Sequence, residues 1–124
     1  VACGDHVLVF GGWGSDNMTP LAHAELLHLD TWCWTKCSTK GDCKPEPRGN
    51  PTLVYSDNKR CAILFAGWNR MQRLNDLWVL DMEEWTWQQV ASTTQWPKGR
   101  TDHSAVLWKK DATEDAMLVF GGSV

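Results

Sequence analysis

The 124-residue chain lacks the features of three common protein classes. It has no apolar run near the roughly 20 residues that a membrane-spanning helix needs. No stretch repeats its apolar residues with a convincing helical period. Its formal net charge is only −3, whereas a nucleic-acid-binding face is normally strongly basic. We therefore expect an all-β chain with no membrane or nucleic-acid partner.

The chain also has few residues arranged for catalysis or metal binding. Tyr55 is its one tyrosine, and its cysteines form none of the paired C-x-x-C knuckles that are typical of zinc sites. Asp102, His103 and Ser104 are triad residue types, but neighbours on a strand point to opposite faces and cannot form a catalytic relay. We predict a non-enzymatic chain with no cofactor and no metal site.

The five cysteines have an odd count and irregular spacing, which favours free thiols in a reducing compartment and hence a cytoplasmic protein. Cys33 and Cys37 would lie roughly 13 Å apart on one strand, beyond the reach of a disulfide. Cys37 and Cys43 could pair if the loop between them doubled back. That pairing, together with a glycosylation acceptor pattern at Asn17, leaves a secreted protein as the alternative.

One short pattern occurs three times in the sequence. A strand-like apolar run ends in two small residues at Phe10-Gly11-Gly12, Phe65-Ala66-Gly67 and Phe120-Gly121-Gly122. The copies stand at equal intervals of 55 residues. A period near 50 residues indicates a repeat architecture.

Other landmarks recur between these copies. Two strand-like segments end in Asp30 and Asp81, and a tryptophan follows each. Trp34 can be matched with Trp85 without a gap, or with Trp87 if the first turn is two residues shorter. Both matches keep the side chains on the same sheet face, because the period of a strand is two. With the joints rich in Pro, Gly and Lys that follow, one repeat unit reads as four antiparallel strands, lettered a to d.

This unit resembles the repeat of kelch β-propeller proteins. The resemblance is carried by Pro47, Arg48, Ala66-Gly67, Asn75-Asp76-Leu77-Trp78, Leu80-Asp81 and Trp87 in one unit, and by Pro97, Arg100, His103-Ser104 and Gly121-Gly122 in the next. It implies four-stranded antiparallel blades in the order b-c-d, a-b-c-d and a-b. The units are a partial blade over 1–44, a complete blade over 45–96 and a partial blade over 97–124. Because propellers close with about four to eight blades, we expect a segment of a larger propeller that packs against the remaining blades.

Two sets of residues are expected to matter in such a propeller. Repeated structural roles are expected for Gly11, Gly12, Asp30, Trp34, Arg48, Ala66, Gly67, Asp81, Trp87, Arg100, Gly121 and Gly122. Because strands alternate in direction, the b–c loops (13–24 and 68–74) and the d–a joints (38–48 and 92–100) share one face, which we call the loop face. Binding residues concentrate on such loops, and we predict partner binding by Trp13, Asp16, Asn17, Trp68, Asn69, Arg70, Arg73 and Trp96.

The loop from Trp68 to Arg73 holds an aromatic residue, two arginines and a methionine, types that are enriched at protein interfaces. For Trp13 and Trp68, packing over the neighbouring blade is the alternative to recognition. The resemblance implies a non-catalytic scaffold or protein-interaction module. Alternatives are the substrate-recognition propeller of a ubiquitin-ligase adaptor, a propeller appended to an enzyme such as a phosphatase, and carbohydrate binding through rim tryptophans.

Overall fold

The apolar runs of the sequence form ten β-strands in the computed structural model, which describes residues 1–124. The strands are β1 (Ala2–Cys3), β2 (His6–Phe10), β3 (Ala24–His28), β4 (Cys33–Cys37), β5 (Thr52–Ser56), β6 (Cys61–Trp68), β7 (Arg73–Asp81), β8 (Thr86–Val90), β9 (Ser104–Lys109) and β10 (Asp115–Phe120). The structure holds no helix of the length and apolarity needed to cross a membrane.

The strands form three antiparallel sheets in which consecutive strands are neighbours. The first sheet has the order β1-β2-β3-β4, the second β5-β6-β7-β8, and the third pairs β9 with β10. This confirms the expected all-β fold of four-stranded antiparallel blades. The first sheet also carries the short strand β1 at the position of strand a, where the sequence pattern showed only b, c and d. Ala2 and Cys3 are too few to give a recognisable apolar alternation.

The strand register decides between the two matches proposed for Trp34. Trp34 lies opposite Leu27 in the first sheet, and Trp87 lies opposite Leu80 in the second. Trp34 and Trp87 are therefore equivalent. The preceding tryptophans, Trp32 and Trp85, share a left-handed backbone with φ of 57° and 56°.

The same register separates Asp30 from Asp81, which the sequence pattern had matched. Asp81 ends β7, and its Oδ1 accepts hydrogen bonds from the backbone N–H groups of Glu83 and Glu84 at 2.8 and 3.0 Å. Asp30 lies within the turn after β3, and His28 occupies the place that corresponds to Asp81. The two residues therefore do not share one structural role. The shift is even-numbered, so it preserves the apolar alternation on which the sequence match relied.

The hydrophobic core lies between the first and second sheets. Its buried members are Cys3, Leu8, Phe10, Ala24, Ala62, Leu64, Trp78, Leu80 and Trp87. Phe10 and Trp87 meet edge to face across the interface, with ring centroids 5.2 Å apart, an arrangement worth about 0.5–1.5 kcal/mol beyond the area it buries. Packing of aromatic and aliphatic side chains thus fixes the first blade against the second.

The interface between the second and third sheets is more polar. The buried Ser56 hydroxyl donates to the carboxylate of Asp115, and Thr52 Oγ1 lies 2.6 Å from His103 Nε2. The His103 ring also packs edge to face on Phe65 at 5.5 Å. Burial and the charge of Arg100 lower the pKa of His103, so its ring stays neutral near pH 7 and serves the packing of the two blades.

Candidate protein-interaction face

The d–a joint of the second blade is anchored by a buried ion pair. Arg48 is fully buried, and its Nη1 and Nη2 donate to the two carboxylate oxygens of Asp76 at 2.6 and 2.8 Å. The indole N–H of Trp78 donates to the same carboxylate at 2.6 Å. Burial alone would raise the pKa of Asp76. The hydrogen bonds and the positive charge of Arg48, together with the hydrogen bond from Trp78, outweigh the effect of burial, so the pKa of Asp76 is lowered. The joint is thereby tied to β7.

A bulge in the second sheet makes this pairing possible. The register between β6 and β7 shifts between Phe65 and Gly67, where Ala66 alone lies opposite two residues of β7, Asn75 and Asp76. Ala66 has φ of 60°, and its carbonyl accepts from Arg48 Nη1 at 3.0 Å. Arg100 repeats the contact in the third sheet, where its Nη1 donates to the Gly121 carbonyl at 2.9 Å. The small-residue pairs therefore present a carbonyl to the arginine of the adjoining joint.

The first and second positions of each pair differ in backbone conformation. Gly11, Ala66 and Gly121 have φ of 71°, 60° and 72°, within the left-handed region that other residues can enter. The second position has a larger φ, which is 106° at Gly67, and a Cβ there would lie 2.8 Å from the Gly49 carbonyl oxygen. This explains why alanine stands at the first position of the second repeat while the second position is glycine in all three.

A chain of side-chain hydrogen bonds crosses the loop face. The indole N–H of Trp13 donates to Asn50 Oδ1 at 3.1 Å, and the Asn50 amide donates to Asp102 Oδ1 at 2.6 Å. Asn50 and Asp102 both have left-handed backbones, with φ of 51° and 59°. The sequence prediction missed Asn50. The available signal was an Asn or Asp two residues after each repeat arginine, the residue types that best tolerate this conformation.

The two tryptophans that follow the small-residue pairs contact each other. Trp13 and Trp68 meet edge to face with centroids 5.6 Å apart. The Trp13 ring also covers Gly49, where a Cβ would lie only 2.1 Å from the ring. Trp68 exchanges backbone hydrogen bonds with Gly49 at 2.9 Å in each direction, and 39% of the residue is exposed. Packing therefore accounts for Trp13, whereas Trp68 presents part of its ring to solvent.

The loop between β6 and β7 is held at its base and exposed at its tip. Asn69 Oδ1 accepts from the backbone N–H groups of Met71 and Gln72, and its Nδ2 donates to Glu46 at 2.9 Å. Arg73 donates to the Ser123 hydroxyl at 3.0 Å, which links the loop to the third blade. Arg70, with φ of 80°, leads to Met71, which is 92% exposed.

The remaining predicted binding residues lie apart from this group. Asp16 accepts hydrogen bonds from the Thr19 hydroxyl and from the backbone N–H groups of Met18 and Thr19, which lower its pKa to about 2. Its neighbour Asn17 is exposed in the same turn, with φ of 53°. The Trp96 indole donates to the Asn75 carbonyl at 2.5 Å. Neither Asp16 nor Trp96 shares a hydrogen bond or ring contact with the Trp13–Trp68 pair.

The cysteines are all unpaired, and burial raises the pKa of Cys3, Cys37 and Cys61. Cys33 and Cys43 are exposed. No group of three or more His, Cys, Asp or Glu side chains is arranged to hold a metal ion. Around the loop face, the structure thus offers an exposed methionine, a half-exposed tryptophan and arginines on a fixed backbone.

Comparison with known proteins gives a consistent set of relatives. Dynein regulatory complex subunit 7 from Chlamydomonas reinhardtii is 28% identical over 96% of this chain and 10% of its own length. Kelch domain-containing protein 2 from Bos taurus is 30% identical over 81% of the chain and 23% of its own length. Adagio protein 3 from Arabidopsis thaliana is 35% identical over 84% of the chain and 17% of its own length. The chain therefore spans between a tenth and a quarter of these relatives.

The family comparison covers the whole chain. The KLHDC2/KLHL20/DRC7 Kelch-repeats domain matches residues 1–124, and kelch-repeat propellers are generally non-catalytic modules that bind other proteins. The match agrees with the antiparallel blades, the repeated arginine contacts and the glycine-type pairs described above. The chain belongs to the KLHDC2/KLHL20/DRC7 family of kelch-repeat domains.

Proposed function

We propose that this chain is a non-catalytic interaction segment whose loop face binds another protein, with the loop from Trp68 to Arg73 at the centre of the contact. The observation that carries the proposal is the position of Met71. Its side chain is 92% exposed, yet the loop beneath it is fixed by Asn69 and Arg73. A large apolar side chain held in water by a rigid loop favours binding, because little backbone entropy is lost on association.

The neighbouring side chains suit a protein partner. Burying Met71 against a partner would contribute about 1.5–3 kcal/mol, and Trp68 supplies half-exposed aromatic surface beside it. Arg70 is an exposed cation at the same tip and takes part in none of the ion pairs of the structure. Tryptophan, arginine and methionine are enriched at interfaces, and the combination of one apolar anchor with flanking polar groups is typical of a binding hot spot.

The flat faces of the outer sheets are proposed to serve a different purpose. Trp34 on the first sheet is 54% exposed, and Leu118 and Val106 on the third are 50% and 60% exposed. The equivalent faces between the first and second sheets are buried against each other. By the same packing, these outer faces are expected to contact the remaining blades of the propeller, which leaves the loop face for partners.

The role within the whole protein is proposed as a scaffold or adaptor in the cytoplasm. The unpaired cysteines agree with a reducing compartment, and one relative is named as a subunit of a dynein regulatory complex. The second candidate is substrate recognition for a ubiquitin ligase. A propeller appended to an enzyme is the third, since another relative is named a probable serine/threonine-protein kinase.

The proposal can be tested with a matched pair of double variants in the full-length protein. Arg70→Ala with Met71→Ser changes the loop tip of the second blade, and Asn58→Ala with Lys59→Ala changes the exposed β5–β6 turn on its opposite face. Partners captured by the wild-type protein are identified, and the affinity of each purified partner is measured. We expect the loop-tip variant to lose at least tenfold in affinity and the turn variant to keep it. Equal affinities for the two variants would overturn the proposal.

A further inference from the structure

A cavity of about 370 Å³ lies between the first and second blades on the side opposite the loop face. Its lining includes Cys3 and His6 from the first blade and Met82 from the second. These are a thiol, an imidazole and a thioether, and the interaction function proposed above uses none of them. The cavity therefore brings together three side chains that can act as metal ligands.

The thiol and the imidazole are adjacent in the sheet. Cys3 and His6 are direct partners in the β1–β2 pair, so their side chains share one face. The Cβ atoms of direct cross-strand partners lie about 5 Å apart, a separation that one metal ion can bridge. Gly4, with φ of 61°, provides the tight turn that places the two residues opposite each other.

A hydrogen-bond chain behind His6 orients its ring. His6 Nε2 lies 2.9 Å from His28 Nδ1, and His28 Nε2 lies 2.9 Å from the Thr35 hydroxyl. When the His28 Nε2–H donates to the Thr35 oxygen, the His28 Nδ1 can accept a hydrogen bond from the His6 Nε2–H. The Nδ1 of His6 then carries a free lone pair. Metal-binding histidines typically donate their other ring N–H to such a partner.

Met82 completes the set from the facing blade. It follows β7 and packs partly buried against the core that contains Cys3. The nearby carboxylate of Glu83 already accepts from Arg60 at 2.8 Å. Two sulfur donors and one imidazole nitrogen, without a free carboxylate, favour a soft ion over Mg²⁺ or Ca²⁺, and thioether and thiolate ligands select Cu(I).

We infer that Cys3, His6 and Met82 bind one Cu(I) ion in the cavity between the first two blades. Binding forms a copper–thiolate bond at Cys3 and releases the thiol proton to solvent, and the oxidation state of the ion does not change.

The test is a competition titration of the reduced full-length protein with Cu(I) against a chromophoric Cu(I) chelator. The exposed thiols Cys33 and Cys43 are first changed to serine, because they would bind copper adventitiously. We expect this background to retain one ion, and the added change Met82→Leu, which conserves volume, to weaken binding at least tenfold. The matched control is Met71→Leu at the loop tip, which should bind as the background does.

Two results would overturn the inference. One is the loss of the ion when Cys33 and Cys43 are replaced, which would assign it to exposed thiols. The other is equal affinity in the Met82→Leu and Met71→Leu variants. Cys3→Ser should abolish binding, and if that variant does not fold, the comparison of the two methionine variants still decides. X-ray absorption of the copper-loaded background should show both sulfur and nitrogen ligands.

Discussion

Arg48 and Asp76 form a two-point ion pair, 28 residues apart in sequence, with N–O distances of 2.6 and 2.8 Å. The arginine side chain has no solvent exposure, and the aspartate side chain is 17% exposed. A buried guanidinium that loses its carboxylate keeps its desolvation cost without compensation. The pair therefore connects the stability of the second blade to the position of the joint that begins it.

Removing the charge of Asp76 should destabilise the intact protein strongly. Asp76→Asn preserves the shape of the side chain but leaves the Arg48 charge buried and unpaired, so we expect the free energy of unfolding to fall by about 3–5 kcal/mol. Denaturant unfolding measures the change. The control is Glu83→Gln, which breaks the exposed pair with Arg60 and should cost less than about 1 kcal/mol. Similar costs for both variants would contradict the assigned role.

The same pair predicts how stability depends on acid. The folded pKa of Asp76 is lowered, so the unfolded chain binds the proton more readily than the folded one. The stabilisation is fully present above the unfolded pKa of about 3.9 and is lost as the pH falls from there through the folded pKa. We expect a shallower loss of unfolding free energy below pH 4 in Asp76→Asn than in the wild-type protein. Identical slopes, measured by denaturant unfolding at several pH values, would exclude this linkage.

The sequence predicted the strands and the repeat well because those features depend on local composition. Apolar runs that end in Gly11-Gly12 or Ala66-Gly67 are visible without any knowledge of tertiary contacts. The arginines at 48 and 100 were recognised by resemblance, but the pairing of Arg48 with Asp76 depends on the bulge in which Asn75 and Asp76 lie opposite Ala66, and no local pattern encodes that bulge. The mismatch of Asp30 with Asp81 has the same origin, since an even-numbered shift leaves the alternation unchanged.

The loop-face residues were less predictable for a related reason. The sequence left partner binding and packing over the neighbouring blade open for Trp13 and Trp68, because the orientation of Trp13 depends on Gly49 and Asn50 of the next blade. Contacts between blades combine residues that are far apart in sequence. One complete repeat and two partial ones show which positions recur, but not which side chains meet.

The two positions of the small-residue pair should respond differently to substitution. Ala66→Gly removes a modest left-handed strain while increasing the freedom of the unfolded chain, so the free energy of unfolding should change by less than about 1 kcal/mol. Gly67→Ala places a Cβ 2.8 Å from the Gly49 carbonyl at φ of 106° and should cost about 1–3 kcal/mol. In Gly12→Ala the new Cβ has no atom within 4 Å at φ of 97°, so the cost of this variant measures the backbone strain alone. The loss of unfolding free energy should therefore be largest in Gly67→Ala, smaller in Gly12→Ala and smallest in Ala66→Gly. Thermal unfolding of the three variants measures this order, and it would be refuted if Ala66→Gly were the most destabilised.

The hydrogen-bond chain from Trp13 through Asn50 to Asp102 predicts coupling between three consecutive blades. Asn50→Gly keeps the left-handed backbone, with φ of 51°, and removes both side-chain bonds, so the Trp13 indole N–H loses its acceptor. We expect that N–H to exchange with solvent at least tenfold faster, as measured by NMR with indole-labelled tryptophan. The Trp96 indole, which donates to the Asn75 carbonyl at 2.5 Å, serves as the internal control, and the exchange rate of its N–H should not change.

A second variant, Asn50→Asp, retains an acceptor for Trp13 but places a second carboxylate against Asp102 in place of the 2.6 Å amide bond. Asn50→Asp should therefore preserve the slow exchange of the Trp13 indole N–H while it destabilises the contact with the third blade. If that N–H exchanged faster in both variants, the indole would be held in place by the Asn50 amide bond to Asp102 rather than by the acceptor oxygen.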